Sequence, residues 1–263
     1  MDTYAAVLTE VRSRNPLVLH VTNTVTSADC ANMSICFGSS PVMSDDPQDA
    51  AELASVSDAL VLNIGTVNDH QLQVMHAAAD VASARHIPII LDPAGAGASA
   101  RRKSVASELI SAYPISVIKG NADEISTLAG ISSSARGVDA FGTPDRDALL
   151  RLADTSGAVV AASGAVDIVT DGSRIIEVAN GVAEMSLVSG TGCMASSCIG
   201  AAASVAPAMD ASVTALAVLG VAGERAAQSA QGPGSFKMAF FDAVSCMDDE
   251  ALQASARIRE VVW

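Results

Sequence analysis

The sequence predicts an α/β protein with a mostly parallel central sheet and helices on both of its faces. Short apolar runs of strand length alternate with longer segments of helical periodicity along most of the chain. The runs are apolar on both faces, as expected of strands buried between two helical layers. Hydrophobic residues make up 50% of the 263 residues and aromatic residues only 3%. We therefore expect residues 1–263 to form one domain with a core of Ala, Val, Ile and Leu.

The helices are predicted from apolar spacing and from stop signals. Asn15 and Pro16 end the first helix, because a residue before proline avoids helical angles. Gly38 ends the second, and Pro47 suits the first turn of the third. The predicted helices cover about 2–14, 27–37, a segment that opens at 46–47, 68–85, 100–112, a segment from 122, and 145–155.

The strands are predicted from the apolar runs between these helices. We expect them at 17–21, 41–43, 59–64, 87–91, 115–118 and 158–161, with two further short strands around Ile168 and Ile175. A loop is expected over 119–121, a looser segment around Gly130, Gly137 and Gly142, and helix through the last third of the chain.

Polar and glycine-bearing segments follow the predicted strands. Right-handed crossovers place the loops after parallel strands at one edge of the sheet, where ligands of open α/β sheets bind. We expect a site at this edge, built from Asn23, Gly65, Asp92, 119–124, 163–164 and a turn at Gly190.

The turn around Gly190 runs into a stretch with helical character at 194–202. The N-terminus of such a helix carries unpaired N–H groups and partial positive charge, which suit a phosphoryl group. Cys193 lies at that end, where a thiol has a lowered pKa and could accept a proton from a substrate hydroxyl. The alternative is a glycine-bearing loop with one buried cysteine.

Several of these residues have a structural explanation as well. Asp92 precedes Pro93 and could shape a turn, and acids such as Glu124 are favoured in the first turn of any helix. Lys119 is one of only three lysines. His20 in an apolar strand is more often a core histidine than a catalyst, and no Ser/His/Asp arrangement or GxxxxGK[ST] phosphate loop is readable.

Charge and cysteine usage exclude several classes of protein. A net charge of −14 argues against nucleic acid or an anionic membrane as a partner. Five cysteines without a CxxC pair predict neither a disulfide framework nor a zinc site and favour the reducing cytoplasm. The first four residues carry an acid where a secretion signal would be basic. The uncharged stretch 185–209 is too polar for a membrane span, so we expect a buried helix there.

Eight segments of the chain resemble, in order, those of the hydroxyethylthiazole kinase family, over about residues 15–245. They are HVTN at 20–23, CAN at 30–32, SPVM at 40–43, NIGT at 63–66, LDPAGAG at 91–97, VIKGNADEI at 117–125, SGTGCM at 189–194 and GPGSF at 232–236. The resemblance implies a ribokinase-like fold and ATP-dependent phosphorylation of 4-methyl-5-(2-hydroxyethyl)thiazole in thiamine biosynthesis or salvage.

The resemblance also implies roles for individual residues. The thiazole would be bordered by Asn23, Met43, Gly65 and Gly190, and ATP would contact Lys119 and Ser163. Asp92 and Glu124 would serve Mg²⁺ directly or through water, and Cys193 would face the hydroxyethyl oxygen as the catalytic residue. Members of the family are homotrimers with sites between subunits, so we expect Asn23 and Met43 to face Cys193 of a neighbouring subunit.

The chain departs from the family pattern at three places. Lys119 stands where arginine is usual, Ser163 where threonine is usual, and 182–184 differ from the usual residues. Lysine keeps the positive charge of arginine but lacks the guanidinium group, which can bind phosphate oxygens with two N–H groups at once. This difference bears on nucleotide affinity rather than on the reaction class. Relatives of the fold usually have aspartate at the position of Cys193. The cysteine in this chain argues against a pyrimidine or sugar kinase. A binding protein without turnover is the other alternative, favoured only by Lys119.

Overall fold

The computed structural model describes residues 2–131 and 145–261, and every strand in these residues belongs to one sheet. The strand order is β2-β1-β3-β4-β5-β6-β7-β8-β9. Pairs from β2 through β6 are parallel, and pairs from β6 through β9 are antiparallel. The mostly parallel sheet is thus confirmed. The strands are β1 (Leu17–Val21), β2 (Ser40–Met43), β3 (Ala59–Asn63), β4 (Ile89–Asp92), β5 (Val117–Asn121), β6 (Val159–Ser163), β7 (Asp167–Thr170), β8 (Ile175–Val178) and β9 (Ile258–Val261).

Helices cover both faces of the sheet, as predicted. They are α1 (Asp2–Arg14), α2 (Ser27–Phe37), α3 (Pro47–Ala54), α4 (Asp69–Arg85), α5 (Ala100–Ala112), α6 (Ala122–Leu128), α7 (Arg146–Ser156), α8 (Thr191–Ala203), α9 (Ala208–Ser229), α10 (Pro233–Ser245) and α11 (Asp249–Ser255), with a 3₁₀ helix at Ala183–Leu187. One core cluster packs α1, α2 and α8–α10 on one face, and a second packs α3–α7 on the other.

The helix expected within 185–209 is α8, and its residues 194–202 are buried. It lies in the core between the sheet and the neighbouring helices α2 and α9. Among the residues that the structure describes, no helix combines the length and the apolar character that crossing a bilayer requires.

Two predictions about local structure are wrong. The segment Lys119 to Asn121, expected to be a loop, completes strand β5 and pairs with β6 up to Ser163. Backbone pairing does not need apolar side chains, so the polar residues continue the strand. The last third is not all helical, because β9 adds an antiparallel edge strand beside β8. Gly137 and Gly142, expected in a looser segment, lie outside the described residues.

Helix α8 approaches the sheet most closely at Gly200. A Cβ atom placed on Gly200 would lie 2.7 Å from Val61 Cγ2 and 3.4 Å from Val18 Cγ1, on strands β3 and β1. Atoms in a packed core do not tolerate such distances without displacement. The missing side chain therefore sets the separation between α8 and the strands beneath it.

We predict that Gly200→Ala destabilises the protein by about 1–3 kcal/mol, because overpacking outweighs the better helix propensity of alanine. Urea unfolding followed by circular dichroism would measure the free energy of unfolding. The matched control is Gly234→Ala in α10, where a Cβ would meet no atom within 4 Å. Equal stability of the two variants would contradict the packing argument.

Candidate active site

Three neighbouring strands each place one polar side chain on the α8 side of the sheet. Asn63 ends β3, Asp92 ends β4, and Lys119 lies in β5. Each follows by two positions a strand residue of the core cluster that contains α8, so the period of two places all three on the same face. All three are buried, with exposed fractions of 1–3%. The sheet edge predicted from sequence therefore holds an amide, a carboxylate and an ammonium group.

The first turn of α8 covers these side chains. Gly190 is its N-cap with φ of 92°, a left-handed conformation, and a Cβ there would lie 2.6 Å from Thr26 Cγ2. Both features require glycine. A Cβ on Gly192 would lie 2.9 Å from Lys119 Nζ, so the ammonium group packs against the helix start. The predicted glycine turn before a helix is therefore confirmed.

Cys193 lies in this first turn, and two amides donate hydrogen bonds to its sulfur. Asn63 Nδ2 is 3.2 Å and Asn23 Nδ2 is 3.5 Å from Sγ. Burial, followed by the charge of Asp92, raises the pKa of the Cys193 thiol to about 12. The expectation of a lowered pKa at a helix N-terminus is therefore wrong, because burial and a nearby carboxylate outweigh the helix dipole.

Asn23 is held within the same subunit. Its Nδ2 donates to Thr26 Oγ1 at 2.9 Å and to Asn63 Oδ1 at 3.0 Å, in addition to the contact with Cys193. The expectation that Asn23 faces Cys193 of a neighbouring subunit is therefore wrong, since β1 and α8 are neighbours in one chain. Gly65 adjoins this network, because its N–H donates to Asn63 Oδ1 at 2.9 Å.

Asp92 is a buried carboxylate with few partners for its charge. Ser196 Oγ, one turn into α8, donates to Oδ2 at 2.8 Å. Burial raises the pKa of Asp92, and Lys119 and the hydrogen bonds from Ser196 and Asn63 oppose that shift. The group is thus poised to gain from a bound cation.

Glu124 begins helix α6 and also faces the site. Its Oε2 accepts from Asn121 N at 2.8 Å, and its Oε1 accepts from Gly95 N at 2.7 Å. Asn121 in turn accepts from Glu124 N, which completes a capping box. Burial and then the charge of Asp92 raise the pKa of Glu124, against these hydrogen bonds. The structural explanation of Glu124, as an acid in the first turn of a helix, and the functional explanation, as a residue of the site, therefore both apply.

A cavity of about 490 Å³ brings most of the predicted residues together. Its lining combines the charged groups and the start of α8 with the apolar side chains of Met185, Leu216 and Leu219. The predicted residues that line it are Asp92, Lys119, Glu124, Ser163, Gly190 and Cys193. Asn23 and Gly65 do not line it but connect to it through Asn63 and Cys193.

Met43 lies apart from the cavity, whereas Ser163 lines it. Met43 ends the edge strand β2, pairs with His20 and does not line the cavity. Ser163 ends β6, where its Oγ donates to Gly120 O at 3.3 Å. His20 is fully buried within β1, in agreement with a core histidine.

Sequence reasoning missed three polar residues of the site. Asn63 holds Cys193, Ser196 holds Asp92, and Asp167 lines the cavity beside Ser163. Burial raises the pKa of Asp167 to about 7, while a hydrogen bond from Gly164 N at 2.9 Å opposes the shift. The signals were an Asn at a strand end, a Ser one helical turn after Cys193, and an acid just after the predicted 163–164 segment.

The donor set around Asp92 and Glu124 fits a hard divalent cation. Mg²⁺ prefers oxygen ligands and is usually held by one or two carboxylates together with waters and substrate phosphates. Within residues 2–131 and 145–261, no cluster of three or more His, Cys, Asp or Glu side chains could hold a metal by itself. Two carboxylates that line the same cavity match the pattern in which the substrate completes the coordination.

Comparisons with known proteins agree with this geometry. The sequence profile of the Hydroxyethylthiazole kinase family matches residues 8–250. The chain is 52% identical to the hydroxyethylthiazole kinase of Methanocorpusculum labreanum over 263 residues, which cover 99% of both chains.

Solved structures show the same relationship. The structure of a hydroxyethylthiazole kinase protein from Pyrococcus horikoshii superposes with a TM-score of 0.92 at 35% identity, covering 100% of both chains. A ribokinase-like superfamily protein from Enterococcus faecalis matches with a TM-score of 0.66 at 12% identity, over 93% of this chain and 95% of that one. The second likeness confirms the predicted ribokinase-like fold. With the sequence match over nearly all of its length, the chain belongs to the hydroxyethylthiazole kinase family.

Proposed function

We propose that this protein transfers the γ-phosphoryl group of ATP to the hydroxyl of 4-methyl-5-(2-hydroxyethyl)thiazole, in thiamine biosynthesis or salvage. The observation that carries the proposal is the single cavity in which Lys119, Asp92, Glu124 and Cys193 meet at the start of α8. Family membership supports the thiazole alcohol as the acceptor.

Each of the predicted site residues has a part in this proposal. Lys119 and the free N–H groups at the start of α8 bind the phosphates, and Ser163 contacts the nucleotide. Asp92 and Glu124 hold Mg²⁺ directly or through water, and the ion would neutralise charge on the phosphates. The thiazole lies on the side of Asn23, Gly65 and Gly190, with Met43 supplied by a neighbouring subunit.

Cys193 orients the acceptor hydroxyl, and only its thiolate form, reached after the thiol proton has left to solvent, can take up the hydroxyl proton late in the transfer. The thiol is protonated in the free protein, since its pKa is raised to about 12. Phosphoryl transfer has a loose transition state in most analyses, so little charge develops on the attacking oxygen before bond formation and a weak base suffices. Neutralising Asp92 removes one of the two leading causes of the raised pKa. Catalysis then rests mainly on positioning.

The test of the activity is an incubation of the purified protein with ATP, Mg²⁺ and one of three alcohols: a thiazole, a pyrimidine or a sugar. We expect the phosphorylated product only with the hydroxyethylthiazole. Phosphorylation of another alcohol instead would reassign the acceptor. Ligand binding without any product would favour a sensor.

We predict that Glu124→Gln lowers kcat at least about tenfold, equivalent to more than a kcal/mol of transition-state stabilisation. Glutamine retains an acceptor oxygen for only one of the two N–H groups of Gly95 and Asn121 and loses the charge that serves the cation. Steady-state kinetics across a magnesium titration would measure this. The control is Glu108→Gln on α5, an exposed acid outside the cavity. An unchanged kcat at every magnesium concentration would remove Glu124 from the proposed site.

We predict that Cys193→Asp keeps or raises kcat and that Cys193→Ser lowers it. A carboxylate at this position would accept hydrogen bonds from Asn23 and Asn63 and take the hydroxyl proton more readily, whereas a serine hydroxyl ionises less readily than a thiol. The measurement is kcat of the two variants. If Cys193 only packs beside the thiazole, the order reverses, because Asp would bury an unpaired charge near phosphates.

We further propose that three copies assemble with their sites between subunits. Val25, Ile35 and Met238 are exposed by 70%, 60% and 64%, on or just before the neighbouring helices α2 and α10. A cluster of large exposed apolar side chains is typical of an interaction surface. The five cysteines are all free thiols, which supports our proposal of a cytoplasmic location.

The trimer predicts a particle of about 80 kDa from chains of 26.6 kDa with closed three-fold symmetry. Light scattering coupled to size exclusion would measure the mass. Ile35→Asp should shift the mass toward the monomer and reduce activity, because a charge would be buried in the contact. A fully active monomer would contradict the shared site.

A further inference from the structure

Part of the cavity wall is an irregular segment that belongs neither to the sheet nor to a long helix. Residues 180–186 connect β8 to the turn before α8, and most of them line the cavity. The segment contains only a short 3₁₀ helix, closed by a bond from Met185 N to Val182 O at 3.2 Å. Its position is therefore set by what it packs against. We call residues 180–186 the wall segment.

Two glycines of α9 lie directly beneath the wall segment. A Cβ on Gly220 would lie 2.5 Å from Asn180 Cβ and 2.8 Å from the carbonyl carbon and oxygen of Asn180. A Cβ on Gly223 would lie 2.7 Å from Met185 Sδ. Glycine within a helix costs about 1 kcal/mol relative to alanine, so these two positions give up helix stability for the close approach.

A carboxylate beside the glycines fixes the start of the segment. Glu224 Oε1 accepts from Gly181 N at 2.9 Å and from Asn180 Nδ2 at 3.2 Å. Arg257 donates to both carboxylate oxygens, at 2.5 Å and 3.2 Å, and its backbone N donates to Asn180 Oδ1 at 2.6 Å. These groups hold the pKa of Glu224 below its usual value, although burial opposes the shift. The side-chain amide of Asn180 is thus engaged in hydrogen bonds within the protein and does not recognise a ligand.

We propose that Gly220, Gly223 and Glu224 are positioning residues for the nucleotide. They hold the wall segment close to α9 and so set the width of the apolar slot that receives the flat base of ATP. The proposal rests on the phosphate-donor site proposed above. It places the base between Met185 and the leucines of α9, while the triphosphate extends to Lys119.

The test is a double-mutant cycle on Gly223 and Met185, read out as the Kd for ATP by calorimetry without the thiazole. Gly223→Ala should weaken ATP binding at least fivefold, because the new Cβ pushes Met185 into the slot. In the Met185→Ala background the same substitution should change Kd less than twofold, since the clash is gone. Gly234→Ala is the matched control and should leave Kd unchanged.

Kinetics separate positioning from a general loss of structure. Gly223→Ala should raise KM for ATP in proportion to Kd while kcat and KM for the thiazole stay within twofold. Arg257→Met, at a side chain that is 54% exposed, should also raise KM for ATP alone by releasing Glu224. An unchanged Kd in Gly223→Ala would overturn the inference. So would an equal effect of Gly223→Ala in both Met185 backgrounds.

The proposed function can fail separately. Wild-type protein that binds ATP but phosphorylates no thiazole would overturn the reaction and leave the binding cycle to decide the inference. Wild-type protein that phosphorylates the thiazole, with Gly223→Ala binding ATP normally, would overturn the inference alone.

Discussion

The site depends on the burial of three polar side chains under the first turn of α8. Burying charge costs free energy unless partners compensate for it. Lys119 and Asp92 offset each other in part, and Ser196 supplies a hydrogen bond from the covering helix. A bound cation and a bound phosphate can offset the remaining free-energy cost of burying these charges. Glycines at the helix start make this possible, because a side chain at 192 would displace the lysine.

In the proposed function, helix α8 contacts the sites of both substrates. In its first turn Cys193 contacts the two amides of the proposed thiazole side, and Gly192 packs against the proposed phosphate-binding lysine. Because α8 lies directly on the strands at Gly200, these two sets of contacts have a fixed separation. Such a fixed separation is how an enzyme holds two reactants in line, which supplies much of the rate in phosphoryl transfer.

Much of this arrangement could be read from the sequence. The alternation of strands and helices predicted the layers of the fold, and polar residues after apolar runs predicted the sheet edge on which Asp92 and Lys119 meet. The position of this edge is largely determined by the order of the strands along the chain. The roles assigned to the individual site residues remain proposals, as does the single domain over 1–263. Most of the predicted chemistry came from the resemblance to a known family, whereas the local sequence provided only weak signals for the burial of Asn63 and Ser196.

The sequence predictions that failed concern properties that depend on partners far away in the chain. The pKa of Cys193 follows from burial and from Asp92, a residue in another strand, and no local helix rule contains either. Asn23 lies 170 residues from Cys193, yet β1 and α8 adjoin, so a contact expected between subunits forms within one. The strand β9 is only four residues long and pairs with β8, which a search for helical periodicity does not detect.

The hydrogen bonds that join Asn180 to the carbonyl of Ser255 and to the backbone N–H of Arg257 have a consequence for the order of assembly during translation. Chains emerge from the ribosome amino end first, and early elements begin to fold before late ones exist. The strands that carry Asn63, Asp92 and Lys119 are made in the first half of the chain, but the clamp on Asn180 needs residues 255–257. The strands that carry these three buried polar residues are therefore made early, and the contacts that fix Asn180 can form only after residues 255–257 have been made.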